Sequence, residues 1–226
     1  MKTIQLSGRL LSVADKVRAN SVVADIGTDH AFIPIYLALN GISSKIYAAD
    51  VAVGPLRMAR RNIIDYNCND SITLIQSDGL KQLENLDLND VIIAGMGGET
   101  IISIIDNSLI SKNNTVNFIL QPMTMADKLR KWLFDSGFSI VDEDIVSEID
   151  KLYQIIVAKF IGNKLDYDMV DLFIGPVNRV RKSDNCILLT DRLIEEEKKI
   201  ISGLEKGNLD TYYHKTVLNE LSFFRS

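Results

Sequence analysis

Cysteine is scarce: Cys68 and Cys186 are the only two in 226 residues. They lie far apart and make no metal-ligand spacing. Neither a disulfide framework nor a bound metal is expected, and a reducing, cytoplasmic setting is. No stretch approaches the about 20 apolar residues of a membrane span. The opening segment MKTIQLSGRLLSVADKV has no long apolar run and no small-residue cleavage pattern, so neither a leader nor a membrane partner is expected. Basic charge is also short, with 25 Lys and Arg against 30 Asp and Glu and a net charge of -5. That argues against nucleic-acid binding by bulk charge and leaves room for a local basic groove. Internal repeats and low-complexity segments are missing. What is there is the composition of a soluble globular protein, 46% hydrophobic and 24% charged. The chain is large for one ordinary domain and small for two, with enough core to stand without disulfides.

The pattern turns on Val22–Ile33, VVADIGTDHAFI. Val22–Ile26 reads as a buried strand, Gly27 as the turn, and Ala31–Asn40 as the helix after it. A leading helix over Leu6–Val17 is predicted from apolar residues at three-to-four spacing. The same strand-turn-helix grammar then repeats. Strands are predicted over Lys45–Asp50, Ser71–Ser77, Asp90–Ala94 and Val116–Gln121. Helices are predicted over Pro55–Tyr66, Glu99–Ile105 and Met125–Ser136. Phe138–Ile149 and Leu152–Phe160 follow as two strands in succession, an antiparallel hairpin on the sheet edge. The pattern weakens at Gly162–Asp168. Beyond it a stripe of Leu188, Leu189, Leu193, Ile194, Ile200, Ile201 and Leu204 predicts a two-helix antiparallel hairpin. The expectation is an α/β protein with residues 1–162 as a doubly wound domain and 163–226 as a helical hairpin.

Chemistry gathers at the predicted strand ends: Asp25 to His30, Asp50, Asp78-Gly79 and Gly95-Met96-Gly97-Gly98. In a doubly wound sheet those ends converge on the ligand crevice. Singly, a glycine there is a tight turn and an acid is a helix cap; four in register point to a nucleotide-like ligand. Asp50 can accept both ribose hydroxyls, which suits NAD, flavin or S-adenosyl-L-methionine. The turn reads G-T-D-H-A-F rather than G-x-G-x-x-G. A pyrophosphate needs bare amides at the helix start, and Asp29 would oppose it. An acidic cleft of Asp25, Asp29, Asp50 and Asp78 suits the positive sulfonium of S-adenosyl-L-methionine, with Asp78-Gly79 on the adenine. On this reading Asp25, Gly27, His30, Asp50, Asp78, Gly79, Gly95 and Met96 bind the cofactor, though His30 and Met96 are also ordinary packing residues. No Asn-Pro-Pro-aromatic motif follows the fourth strand, which argues against amino-group methylation. From these residues alone, a small-molecule, protein or other RNA substrate stays open, as does a non-catalytic nucleotide- or RNA-binding module.

The segments VADIGTDHAFIP, AAD with GPLRMARRN, SDGL, IIAGMGGE and LQPM, in this order, resemble the bacterial tRNA (adenine-22-N1)-methyltransferases, the TrmK family. The leading LSGRLLSVA and the IGP after the hairpin fit as well. The resemblance covers essentially the whole chain, with Asp50 where the family often has Glu. It implies a Rossmann-like class I methyltransferase domain, with a seven-stranded sheet closed by an antiparallel hairpin, and a small coiled-coil-like helical domain. The implied substrate is adenine-22 of tRNA, methylated at N1. Methylated N1 makes the base cationic, so a carboxylate beside it would stabilise that charge and take the N6 proton. Asp29 is the candidate catalytic residue; the alternative is that it caps the helix, and both can hold. Gln121 and Pro122 are candidates to meet the adenine, Pro122 alternatively starting the next helix. Arg9, Arg57, Arg60 and Arg61 are the leading candidates for RNA contact, with Lys128, Arg130, Lys131, Arg179, Arg181 and Lys182 behind them; runs like these are otherwise solvated faces. The helical hairpin would hold the tRNA body or pair with a second copy. A monomer is expected.

Overall fold

Residues 2–226 are described, in a computed structural model. The central strands are near-continuous apolar runs, as strands covered on both faces must be. They are β1 (Val22–Ile26), β2 (Lys45–Asp50), β3 (Ile72–Gln76), β4 (Asp90–Gly97) and β5 (Asn117–Thr124). β6 (Phe138–Glu148) and β7 (Lys151–Phe160) form the closing hairpin. The seven strands order as β3-β2-β1-β4-β5-β7-β6, with β7 antiparallel to its neighbours and the pairs among β1–β5 parallel. The chain runs outward from β1 to β3 and then returns to β4 on the other side of β1. That reversal opens a crevice beyond the carboxyl ends of β1 and β4.

Helices α1 (Gly8–Ala14), α2 (Phe32–Leu39) and α3 (Val53–Asp65) share one apolar cluster on one sheet face. α4 (Gly98–Asp106) and α5 (Ala126–Asp135) share the cluster on the other. α1 is shorter than its apolar period: Leu6 and Val17 are buried but lie outside the helix. β4 and β5 run on past their predicted ends. Their pairing continues through Ala94 with Gln121, Met96 with Pro122 and Gly97 with Thr124, with register shifts at Gly95 and Met96. The bulge absorbs the extra residue and keeps the ladder going. Pro122 is therefore a strand residue beside a bulge, where a missing N–H is tolerated, and does not begin α5.

After β7 come four helices rather than two: α6 (Met169–Phe173), α7 (Pro176–Arg181), α8 (Asp184–Lys206) and α9 (Tyr212–Arg225). α6 starts on a capping box in which the Asp168 and Asp171 side chains each accept from the other's backbone N–H. Pro176 opens α7. α8 and α9 form the expected long hairpin. Within the apolar stripe, Leu189 and Ile201 are buried while Leu188 and Ile200 are exposed. Ile145 of β6 joins Val170, Ile174, Cys186, Leu189, Val217 and Leu221 in one core, so the helices pack against the outer hairpin.

The junction is made by charge. Arg130 of α5 and Glu143 of β6 are both fully buried and paired at 2.8 Å. Arg130 also donates to the carbonyls of Leu172 at 2.9 Å and Ile174 at 3.2 Å, and to Gln154 Oε1 at 2.7 Å. Glu143 accepts from the Val177 backbone N–H at 3.1 Å. Gly175 has φ +101, and a Cβ there would lie 2.1 Å from the Glu143 carboxylate oxygens. Only glycine serves this position. Arg130 is thus an internal strut and not the RNA-facing cation expected of it. Its spacing from Leu133 and Phe134 placed it on the inward face of α5. No helix among the described residues is long and apolar enough to cross a membrane.

Candidate active site

The crevice holds a cleft of about 360 Å³ lined by Arg9, Asp25, Gly27, Thr28, Asp29, His30, Phe32, Ala94 and Gly95, among others. β1 delivers Asp25 to its floor. Burial pushes the Asp25 carboxyl up to about 6, the Thr28 hydroxyl partly opposes the shift, and the neighbouring Asp50 charge adds to it. The Thr28 hydroxyl is near enough to act on Asp25, yet Oγ1 is buried and meets no partner at ordinary hydrogen-bond geometry. The turn above them is strained. Gly27 has φ +75, and the non-glycine residues Asp29 and Ala31 have φ +40 and +55. Three left-handed residues in five are a feature of ligand-holding loops.

Asp29 stands at the rim, its side chain 64% exposed and 3.4 Å from His30 Nε2. It does not cap α2, whose N-cap position is Ala31 with no side-chain cap. His30 stacks on Phe32, ring centroids 5.1 Å apart. Met96 lies over Gly27, its methyl 2.2 Å from where a Cβ would stand. Gly95 forms part of the wall. Asp50, at the end of β2, accepts from the Ala52 backbone N–H at 2.8 Å through one oxygen. The four carboxylates do not line one cavity. Asp78 and Gly79 line a separate depression of about 240 Å³ with Ser103, Ile104 and Asn107. There Lys81 Nζ holds Asp78 at 2.5 Å. β3 ends one strand further out than β2, which carries them away from the switch point.

The candidate RNA cations separate. Arg9 is inside the cleft. Arg57, Arg60 and Arg61 are exposed on α3, outside the cleft lining. Lys128, Lys131, Arg179 and Arg181 are engaged with Glu99, Asp135, Asp168 with Asp171, and Asp142. Gln121 is fully buried. Its Oε1 accepts from Arg9 at 2.6 Å and from the Gly95 N–H at 3.2 Å, and its Nε2 donates to the Pro122 carbonyl at 2.9 Å. With the whole amide engaged, Gln121 supports the cleft through Arg9 instead of reading a base itself. Thr28 and Phe32 were not singled out from sequence. A hydroxyl beside the turn glycine and an exposed aromatic opening the next helix were the available signals.

Fold and cleft together define a class I methyltransferase. A sequence model described as a methyltransferase domain matches residues 6–156. The chain is 31% identical to the tRNA (adenine(22)-N(1))-methyltransferase of Bacillus subtilis, over 98% of this chain and 94% of that protein. It belongs to that family, TrmK. A Streptococcus agalactiae protein of the NADB-Rossmann superfamily superposes with a TM-score of 0.89 at 27% identity, covering 99% of this chain and 98% of that one. TrmK of M. capricolum in complex with S-adenosyl-homocysteine gives 0.79 at 26% identity, covering 97% and 96%.

Proposed function

We propose that this protein transfers a methyl group from S-adenosyl-L-methionine to N1 of adenine-22 in tRNA. The observation that carries the reading is that a relative named for this reaction matches the chain from end to end. The cleft fits the donor on its own evidence: a buried carboxylate without a cationic partner, an unpartnered Thr28 hydroxyl and a left-handed glycine turn face the same space. S-adenosyl-L-methionine supplies an electrophilic methyl on a sulfonium. Asp25 offers its charge to the cationic methionine end, and ionises fully once a positive group is beside it. The free oxygen of Asp50 suits a ribose hydroxyl. The depression at Asp78 and Gly79 suits the adenine of the donor.

For the target base, the protein's work is alignment, because ring N1 already carries a lone pair. N1 lies on the Watson–Crick edge, so the base must be unpaired or flipped outward. Asp29 at the rim is the proposed acceptor of the N6 proton and the counter-charge to the methylated ring. Arg57, Arg60 and Arg61 are the proposed phosphate contacts, since α3 starts beside the end of β2. The division into a catalytic part, 1–162, and a helical part that holds RNA, 163–226, belongs to the same proposal. The test is methyl transfer from labelled S-adenosyl-L-methionine to bulk bacterial tRNA, with the product nucleosides separated. Label in N1-methyladenosine is expected; cofactor binding without label in tRNA would return the substrate to unknown.

A further inference from the structure

The loop that follows β5 and the side of α8 enclose a second cavity, of about 260 Å³, outside the catalytic cleft. Pockets for drug-sized ligands start at roughly 300 Å³, so this one suits a single flat group. Met123 and Met125, 45% and 42% exposed, and Leu193 of α8 supply apolar walls. The loop is held in shape: Met125 has φ +59, and a Cβ on Gly98 would lie 2.5 Å from its carbonyl oxygen. Three polar side chains, Asp127, Gln154 and Glu196, line the same space. Arg130 fixes the Gln154 amide from behind. A guanidinium only donates, so Gln154 Oε1 faces it at 2.7 Å and the Nε2 donors are left for the cavity. Neither carboxylate has a cation at ion-pair distance among the described residues. Lys128, the residue after Asp127, pairs with Glu99, and Arg192, one turn before Glu196, donates to the Asp150 carbonyl.

We propose that this cavity reads one unpaired guanine of the tRNA, separate from the adenine that is methylated. The inference rests on tRNA being the substrate. Two carboxylates reject a phosphate and accept N–H donors, and Gln154 offers a donor beside them. The Watson–Crick edge of guanine carries the matching set: N1–H and the N2 amine to give, O6 to accept. The methionines are adaptable, polarisable walls for the faces of the base. β5 is the neighbour of β4, whose end walls the catalytic cleft, and adjacent strands lie about 5 Å apart. One RNA loop therefore reaches both cavities. The guanine contact selects the tRNA and takes no part in the methyl transfer.

Both carboxylates can be neutralised without changing shape, in Asp127→Asn combined with Glu196→Gln. Acids that merely sit on the surface repel RNA, so losing them would tighten tRNA binding; losing acids that hold a base weakens it. The double variant is expected to bind tRNA about 10-fold more weakly than wild type, with S-adenosyl-L-methionine affinity unchanged. Equal or tighter tRNA binding would overturn the assignment. A second measurement uses the wild type itself, with tRNA transcribed so that inosine replaces guanosine at random positions. Inosine lacks only the N2 amine. Binding should fall for tRNA with inosine at one guanosine outside the paired stems, and the double variant should be indifferent to that position. If the wild type is sensitive to no such guanosine, the proposal is equally overturned. A wild-type protein that leaves bulk tRNA unlabelled would sink the substrate reading itself, a failure distinct from these.

Discussion

The Arg130–Glu143 junction and the cleft around Asp25 both bury charge, and they are completed differently. At the junction the opposite charges face each other, backbone carbonyls take further guanidinium donors, and backbone N–H groups and a glycine close around the carboxylate. In the cleft a carboxylate, a hydroxyl and a guanidinium border one space without pairing with each other. Buried polar groups are normally satisfied. Where the protein supplies every partner, the group is structural. Where it withholds them, a ligand is the missing partner.

The comparison breaks most visibly at the junction. Arg130→Met should cost about 3–5 kcal/mol, because it strands Glu143 in the interior. Replacing both partners, Arg130→Met with Glu143→Leu, should recover part of the loss. Urea denaturation measures each, and a single variant as stable as wild type would show that the junction is not closed as described.

Asp25 should behave in the opposite sense. Its carboxyl is raised to about 6 from an ordinary 3.8, so between those values the folded protein binds the proton that the unfolded chain has released. The contribution of Asp25 to the stability of the ligand-free protein is therefore fullest below about pH 4 and is lost as pH rises through about 6. Asp25→Asn should raise ligand-free stability at pH 7 by up to about 3 kcal/mol and weaken cofactor binding. In the wild type, cofactor affinity should drop as pH falls below about 6. Thermal melts across pH 4–8, with calorimetry at each end, decide it. A variant no more stable than wild type would mean that Asp25 already has a partner.

Asp29 tests the rim. Asp29→Ala should lower turnover about 100-fold, a loss in the range of a general base, while cofactor affinity stays. Unchanged turnover would remove it from the chemistry. The smallest effect is expected farthest from both sites. Neutralising Arg57, Arg60 and Arg61 to Gln should make the salt dependence of tRNA binding shallower, by about one unit of slope for each phosphate that α3 no longer neutralises. An unaltered slope would take α3 out of the interface.

Much of this was legible beforehand for a local reason. β1 and β2 are short apolar runs ended by a turn or a carboxylate, and both lie where period and punctuation put them. Asp25, Gly27 and Gly95 follow, since a strand end fixes what stands on it. The short helices α6 and α7 were missed because five or six residues give too little periodicity to count. The overrun of β4 and β5 was missed because a bulge has no local signature when glycines also spell a turn. Arg130 was misjudged by placing it with Lys128 and Lys131 among the candidate RNA cations, when residues on a helix diverge by position.

The sequence by itself determined the succession of strands and helices as far as β7, the switch-point crevice and the family, because apolar period and turn chemistry act over a few residues. Tertiary structure alone decided which charges are paired. Arg9 and Gln121 are 112 residues apart and Arg130 and Glu143 are 13 apart. What each side chain meets depends on how strands align across the sheet. One arginine was closed into the frame and the other left open to the cleft because a buried charge is defined by its neighbours, and neighbours are set by packing.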